Sequence, residues 1–316
     1  RPMIELLPPQ RAALSEQGLL DPASRAVVVD LPTSGGKTTL AQFRILQALN
    51  AFSQDKGWVA YVAPTRALVS QLMRRLRRDF SPLGIKVEQV SGGIEIDSFE
   101  AALLQDDHGF DVLVSTPEKL GLIIRNGKMS HRPMALVVLD EAHNIEDEQR
   151  GLRIELLLAT IRQDCPSANY LLLMPFVPES ATLARWLDPE GGKPISLGTT
   201  AWQPNERIVG LYSMRKSDPI NGGKGKDWGL DFHTLTTTPN TIHLLGTHKA
   251  GNAFPLKLSA SKANSLSALT AAMAKTFSSG GRTSIAVGDS PGTAWSMARI
   301  AAENMEAPDR LPEEIK

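Results

Sequence analysis

Between residue 26 and about residue 190, short runs of apolar, largely β-branched residues recur, separated by helix-length amphipathic stretches. The runs are Ala26-Val27-Val28-Val29, Trp58-Val59-Ala60-Tyr61-Val62, Val112-Leu113-Val114, Leu136-Val137-Val138-Leu139 and Tyr170-Leu171-Leu172-Leu173. They are continuous rather than alternating, as strands buried on both faces are. Helices are expected near 38–50, 66–79, 117–125, 152–162 and 179–187. Strand-helix alternation of this kind predicts an α/β fold, a parallel sheet with helices on both faces, which binds ligands at the carboxyl ends of its strands.

The texture changes after Trp202. Residues 203–263 are rich in Pro, Gly, Asn, Thr and Lys and contain Asn221-Gly222-Gly223-Lys224-Gly225-Lys226, which predicts loops and short strands. A helix near 264–277, a buried strand at Thr283-Ser284-Ile285-Ala286-Val287 and a helix near 292–305 then read as the opening of a second α/β domain. The expected division is 1–202, a linker or insertion at 203–263, and 264–316.

Composition excludes several classes. The 34 basic and 34 acidic residues cancel, so a binder that relies on bulk positive charge is out, though a local basic track is not. The single cysteine, Cys165, rules out an intramolecular disulfide and a multi-cysteine zinc site. The longest apolar stretch, Tyr170 to Val177, is broken by Pro175 and falls far short of the ~20 residues that span a bilayer. The first residues lack the features of a signal peptide, so a soluble, cytoplasmic chain is expected. Arg1 stands where an initiator methionine would, which fits numbering that starts inside a longer or processed protein.

Leu31-Pro32-Thr33-Ser34-Gly35-Gly36-Lys37-Thr38 follows a predicted strand and opens a predicted helix. Gly35 and Gly36 let backbone N–H groups approach a phosphate closely, and the helix directs its positive end at the anion. Lys37 then reaches the β- and γ-phosphates and the Thr38 hydroxyl ligates Mg²⁺, with Thr33, Ser34 and Thr39 completing the cradle. Leu31 stands where the strict pattern has Gly or Ala. Asp140-Glu141-Ala142-His143 ends another apolar run, at the same edge of the predicted sheet. A carboxylate there holds Mg²⁺ through water, and Glu141 beside it orients the attacking water.

In order along the chain, these residues resemble the Ski2-like DExH (DEAH-box) group of superfamily 2 helicases, which includes exosome-associated RNA helicases and archaeal DNA-repair helicases. Leu7-Pro8-Pro9-Gln10 resembles the upstream glutamine element, Leu31 to Thr38 motif I, and Ala63-Pro64-Thr65-Arg66 through Gln71 motif Ia. Ser91-Gly92-Gly93 resembles the GG element, Val114 through Leu120 motif Ib, and Asp140 to His143 motif II. Arg150-Gly151 with Glu155 resembles the continuation found in that group. The resemblance implies a RecA-like ATP-binding domain followed by the start of a second RecA-like domain. It implies ATP and Mg²⁺ as cofactors, with Gln10 reading the adenine and Lys37, Asp140, Glu141 and His143 as the catalytic set. It further implies DNA or RNA, single-stranded, held by Pro64, Thr65, Arg66, Gly92, Gly93, Thr116, Pro117 and Glu118. Thr65, Arg66 and Thr116 suit phosphates, contacts that position a strand without reading its bases. Arg74, Arg75, Arg77 and Arg78 extend that basic track or form a solvated helix face.

Two departures stand out. The family's Ser-Ala-Thr motif III falls at 175–177, which is Pro175-Phe176-Val177; Ser180-Ala181-Thr182 is a decoy at a helix start, where Ser180 is an N-cap candidate. The paired arginines of the second motor domain are missing, and a partner or a C-terminal extension is expected to supply them. The expected function is an ATP-dependent helicase or translocase. Its rivals are a nucleotide-gated clamp or scaffold subunit without turnover, and a duplex-DNA translocase of a defence or restriction system.

Overall fold

The computed structural model describes residues 5–32, 35–90, 96, 98–106, 109–127, 132–147, 150–175, 180–196, 208–217, 227–237, 239–252, 266–278 and 283–303. The chain divides into two compact units, Arg1–Pro204 and Asn205–Lys316.

The first unit is built on seven parallel strands: β1 (Ala26–Asp30), β2 (Trp58–Val62), β3 (Val87–Val90), β4 (Val112–Ser115), β5 (Met134–Leu139), β6 (Asn169–Met174) and β7 (Lys193–Ser196). Their spatial order is β3-β4-β2-β5-β6-β1-β7, and every pairing is parallel. Among the described residues, seven helices accompany them: α1 (Pro8–Ser15), α2 (Lys37–Ala51), α3 (Arg66–Phe80), α4 (Ser98–Gln105), α5 (Pro117–Arg125), α6 (Gly151–Asp164) and α7 (Ser180–Leu187).

The continuous apolar runs explain this layering. Along β1, Val27 and Val29 enter one core while Ala26 and Val28 enter the other. The first core takes Leu40 and Ile45 of α2 and Val69 and Leu76 of α3; the second takes Leu120 and Ile123 of α5 and Leu158 of α6. Each fully buried Val or Leu contributes about 1.5–3 kcal/mol. The expected RecA-like sheet with helices on both faces is therefore present.

In the second unit the expected loops and short strands of 203–263 form a three-stranded antiparallel sheet. Its strands are β8 (Ile208–Ser217), β9 (Asp227–Thr237) and β10 (Gly246–Asn252), in the order β10-β9-β8. The Gly/Lys segment 221–226 lies outside the described residues. Helices α8 (Leu266–Ser278) and α9 (Pro291–Glu303) meet through Ala268, Ala271 and Ile300, and Phe277 of α8 sets its ring edge-on to Tyr212 of β8 at 5.9 Å.

One expectation fails. Residues 283–287 form no strand, and Ile285 and Val287 are 87% and 83% exposed. A run of this kind is buried only between partner strands, and among the described residues none pairs with it.

Candidate functional site

The carboxyl ends of β1 and β5 carry the first cluster. After β1 the chain turns at Gly35 and Gly36, and α2 starts at Lys37. Gly36 has φ +85°, the left-handed region that favours glycine, and a Cβ there would lie 2.0 Å from Gln10 Nε2. Leu31, the departure from the strict pattern, is fully buried, and a Cβ on Gly35 would lie 2.6 Å from its Cγ. The larger residue thus fills the core under the turn, and a glycine above accommodates it.

Lys37 is 9% exposed. Its Nζ lies 3.8 Å from Glu141 Oε1, too far for a hydrogen bond, and no hydrogen bond satisfies it. Thr38 and Thr39 follow in the first turn of α2, with the Thr39 N–H bonded to Gly36 O. Asp140 leaves β5 and donates its N–H to Val62 O of β2 at 2.9 Å. Its Oδ1 accepts the Glu141 N–H at 3.0 Å, and Tyr61 directs its hydroxyl at Oδ2 over 3.5 Å. Burial first, then the neighbouring Glu141 carboxylate, push the Asp140 carboxyl above its ordinary range. Glu141 has φ 51°, a left-handed conformation rare outside glycine. It brings Oε1 toward Lys37 and Oε2 to 3.3 Å from His143 Nδ1. Lys37, about a hundred residues earlier in the chain, is therefore brought together with Asp140, Glu141 and His143.

Gln10 is buried and engaged at both ends of its amide: Oε1 accepts the Leu7 N–H at 2.9 Å, and Nε2 donates to Gly36 O at 3.3 Å. In this state it braces α1 against the glycine turn before α2. Thr33, Ser34, Gly92 and Gly93 lie outside the described residues.

The second cluster lies where β2 and β4 hand over to α3 and α5. Thr65 and Thr116 are the N-caps of these helices; their Oγ1 atoms accept the N–H of Leu68 at 3.3 Å and of Lys119 at 3.4 Å. A capping hydroxyl that accepts one N–H keeps its own O–H to donate. Pro64, Thr65, Arg66, Thr116, Pro117 and Glu118 all line one groove of about 630 Å³. Arg125 and Arg153 extend it along α5 and α6, and Glu118 pairs with Arg153 at 3.6 Å. Two helix N-termini and several guanidinium groups facing one groove suit an anionic backbone.

The helix after motif Ia is a solvated charged face. Arg77 bonds Glu88 at 2.8 Å, Arg78 bonds Asp79 at 2.9 Å, and Arg75 lies 3.9 Å from Asp79. Ser180-Ala181-Thr182 forms the first turn of α7, with Ser180 inside the helix rather than capping it. Thr182 nevertheless lines a cavity of about 380 Å³ together with His143, Met174 and Trp186. Phe176 and Val177 lie outside the described residues. Sequence reasoning missed Tyr61 and the buried ion pair between Lys119 and Glu100. A tyrosine inside an apolar run and a charge inside a helix carry no signal of what they face.

The DEAD/DEAH box helicase family model matches residues 8–188. The ATP-dependent DNA helicase Hel308 of Methanocella arvoryzae is 29% identical over 271 residues, which is 83% of this chain and 34% of that protein. Hel308 of Thermococcus kodakarensis is 30% identical over 210 residues, 66% of this chain and 17% of that protein. A solved structure of the DUF1998 helicase MrfA bound to DNA overlays with a TM-score of 0.45 at 18% identity, over 62% of this chain and 28% of that one. This chain spans about a third or less of the length of these curated relatives. No helix among the described residues is long and apolar enough to cross a membrane. Because the family model takes in more than half of the chain, and the same stretch carries the glycine turn before α2 and the Asp140–His143 cluster, the chain belongs to the DEAD/DEAH box helicase family.

Proposed function

We propose that the first unit is the ATP-binding half of a nucleic-acid motor, in which ATP hydrolysis is coupled to movement along a single strand. The observation that carries this is Lys37, a buried ammonium group without a hydrogen bond, set opposite Glu141 at the carboxyl edge of the sheet. A buried charge left in that state is costly unless a ligand completes it, and phosphate oxygens are the complement that the adjacent glycine turn and helix N-terminus favour.

The donor set also fits a divalent cation. The Thr38 hydroxyl and the Asp140 carboxylate are hard oxygen ligands of the kind Mg²⁺ takes, directly or through water. Bound there, Mg²⁺ supplies neutralisation of charge on the phosphates. In this reading Lys37 steadies the β- and γ-phosphates, and Tyr61 and the Glu141 N–H fix the Asp140 carboxylate. Glu141 orients the attacking water and takes its proton, and His143 Nδ1 lies 3.3 Å from the far carboxylate oxygen of Glu141 without a hydrogen bond to it. Gln10 braces the turn and reads the adenine only after exchanging its bond to Gly36.

The track crosses the groove of Thr65, Arg66 and Thr116. The relatives are named as DNA helicases, so single-stranded DNA is the first track to test. Paired arginines from further sequence or a partner complete the ATP site; such a group supplies about 10³–10⁵ in phosphoryl-transfer rate. The test is ATP turnover by the chain alone and with single-stranded DNA, duplex DNA or RNA, with nucleotide binding followed in parallel and Lys37→Ala as control. Nucleotide binding that vanishes in the variant, with turnover raised by one nucleic acid, supports the reading. No nucleotide binding by the parent chain sinks it.

A further inference from the structure

Lys119 lies in the first turn of α5 with its side chain 3% exposed, and its Nζ meets Glu100 Oε2 at 2.6 Å. The Glu100 side chain is 8% exposed and lies in the first turn of α4. This is the most deeply buried ion pair among the described residues. A buried pair recovers little more than the cost of stripping water from its two charges, and apolar residues of similar volume often hold a fold equally well. Leu104 of α4 and Leu120 and Ile123 of α5 are already fully buried in the same apolar core. Stability alone therefore gives no reason for a charged pair here; direction does, because an ion pair fixes two atoms where apolar packing tolerates sliding.

What the pair fixes is visible at the other end of the same residue. The Lys119 N–H is the group that the Thr116 hydroxyl caps. Lys119 is thus held through its backbone by Thr116 and through its side chain by Glu100, and Thr116, Pro117 and Glu118 line the groove. Lys119 lines the groove as well, but its side chain is 3% exposed and its ammonium group is engaged by Glu100.

We infer that Lys119 and Glu100 are positioning residues for nucleic-acid binding: their buried pair sets the Thr116 end of α5 against α4, so that the Thr116 hydroxyl and the α5 N-terminus meet a backbone phosphate. The inference rests on the groove of the preceding section being the nucleic-acid site. Lys119 itself contacts no phosphate.

Three variants of the full chain test it, with fluorescent oligo(dT) and oligo(U) strands as probes. The apolar pair, Lys119→Met with Glu100→Leu, keeps its thermal midpoint and its nucleotide affinity but binds the strand about tenfold more weakly. The exchanged pair, Glu100→Lys with Lys119→Glu, regains most of that affinity. Losing a phosphate-contacting lysine lowers the slope of log affinity against log salt by about 0.7 for a single strand, so the apolar pair is expected to leave the slope unchanged. Strand affinity equal to the parent in the apolar pair overturns the proposal. So does a lowered slope with no rescue by exchange, which makes Lys119 a direct contact. Arg66→Ala separates the two levels. If it weakens binding while the apolar pair does not, only the positioning role falls. If it leaves binding unchanged, the groove is not the nucleic-acid site and both readings fall. Should the exchanged pair fail to fold, the affinity and salt slope of the apolar pair still decide.

Discussion

Glu141 carries the sharpest constraint on any single residue. Its φ of 51° costs about 1–2 kcal/mol for a residue with a side chain, and the fold holds it there, between Lys37 and His143. Such strain is tolerated where surrounding structure over-determines it, often at sites of chemistry. If Glu141 orients and deprotonates the attacking water, Glu141→Gln keeps the backbone and the nucleotide affinity but lowers turnover by about 10²–10⁴, the usual worth of a general base. Steady-state turnover beside a fluorescent nucleotide titration reads this, and an unchanged rate removes Glu141 from the mechanism. Tyr61 is the complementary case. Its hydroxyl lies under Asp140, and burial first, then the Asp140 charge, push it well above its ordinary range, so it stays a proton donor. Nothing in Trp58-Val59-Ala60-Tyr61-Val62 announces that role, because a tyrosine in a buried run is first a packing residue.

The turn between β1 and α2 is an element made by exclusion. A side chain on Gly36 would meet Gln10 at 2.0 Å, and the φ of +85° penalises any L-residue there. Gly36→Ala is therefore expected to cost about 1–3 kcal/mol through backbone strain alone and to weaken nucleotide binding as Gln10 is displaced. A lowered thermal midpoint with a lowered nucleotide affinity is the expected pair of readings, and parent-like values in both contradict it. The same scale shows what was legible in the sequence. The five central strands, β4, β2, β5, β6 and β1, were all read from their apolar runs. The two strands missed, β3 and β7, are the edges of the sheet. An edge strand lacks one neighbour and tolerates polar residues and proline; Glu88 and Gln89 interrupt β3, and Pro194 stands in β7. The glycine turn before α2 and Asp140–His143 stand out in the sequence because their residue patterns are local. The Lys119–Glu100 pair does not, since it joins helices on opposite sides of β4 in the chain.

At the scale of the molecule, among the described residues, the buried residues of the two apolar cores of the first unit run from Ala13 to Ile195. All seven parallel strands also end by Ser196, and the first unit closes at Pro204. A domain with its own core and a closed set of backbone pairings folds alone. A fragment of residues 1–204 is therefore expected to melt in one cooperative transition and to bind nucleotide within a few-fold of the full chain, since Gln10, Gly36, Lys37, Asp140 and Glu141 are all retained. Calorimetry and nucleotide titration of the fragment check this. A broad, non-cooperative melt would show that the second unit supports the first. A sharp melt with lost nucleotide affinity would place part of the binding energy beyond Pro204.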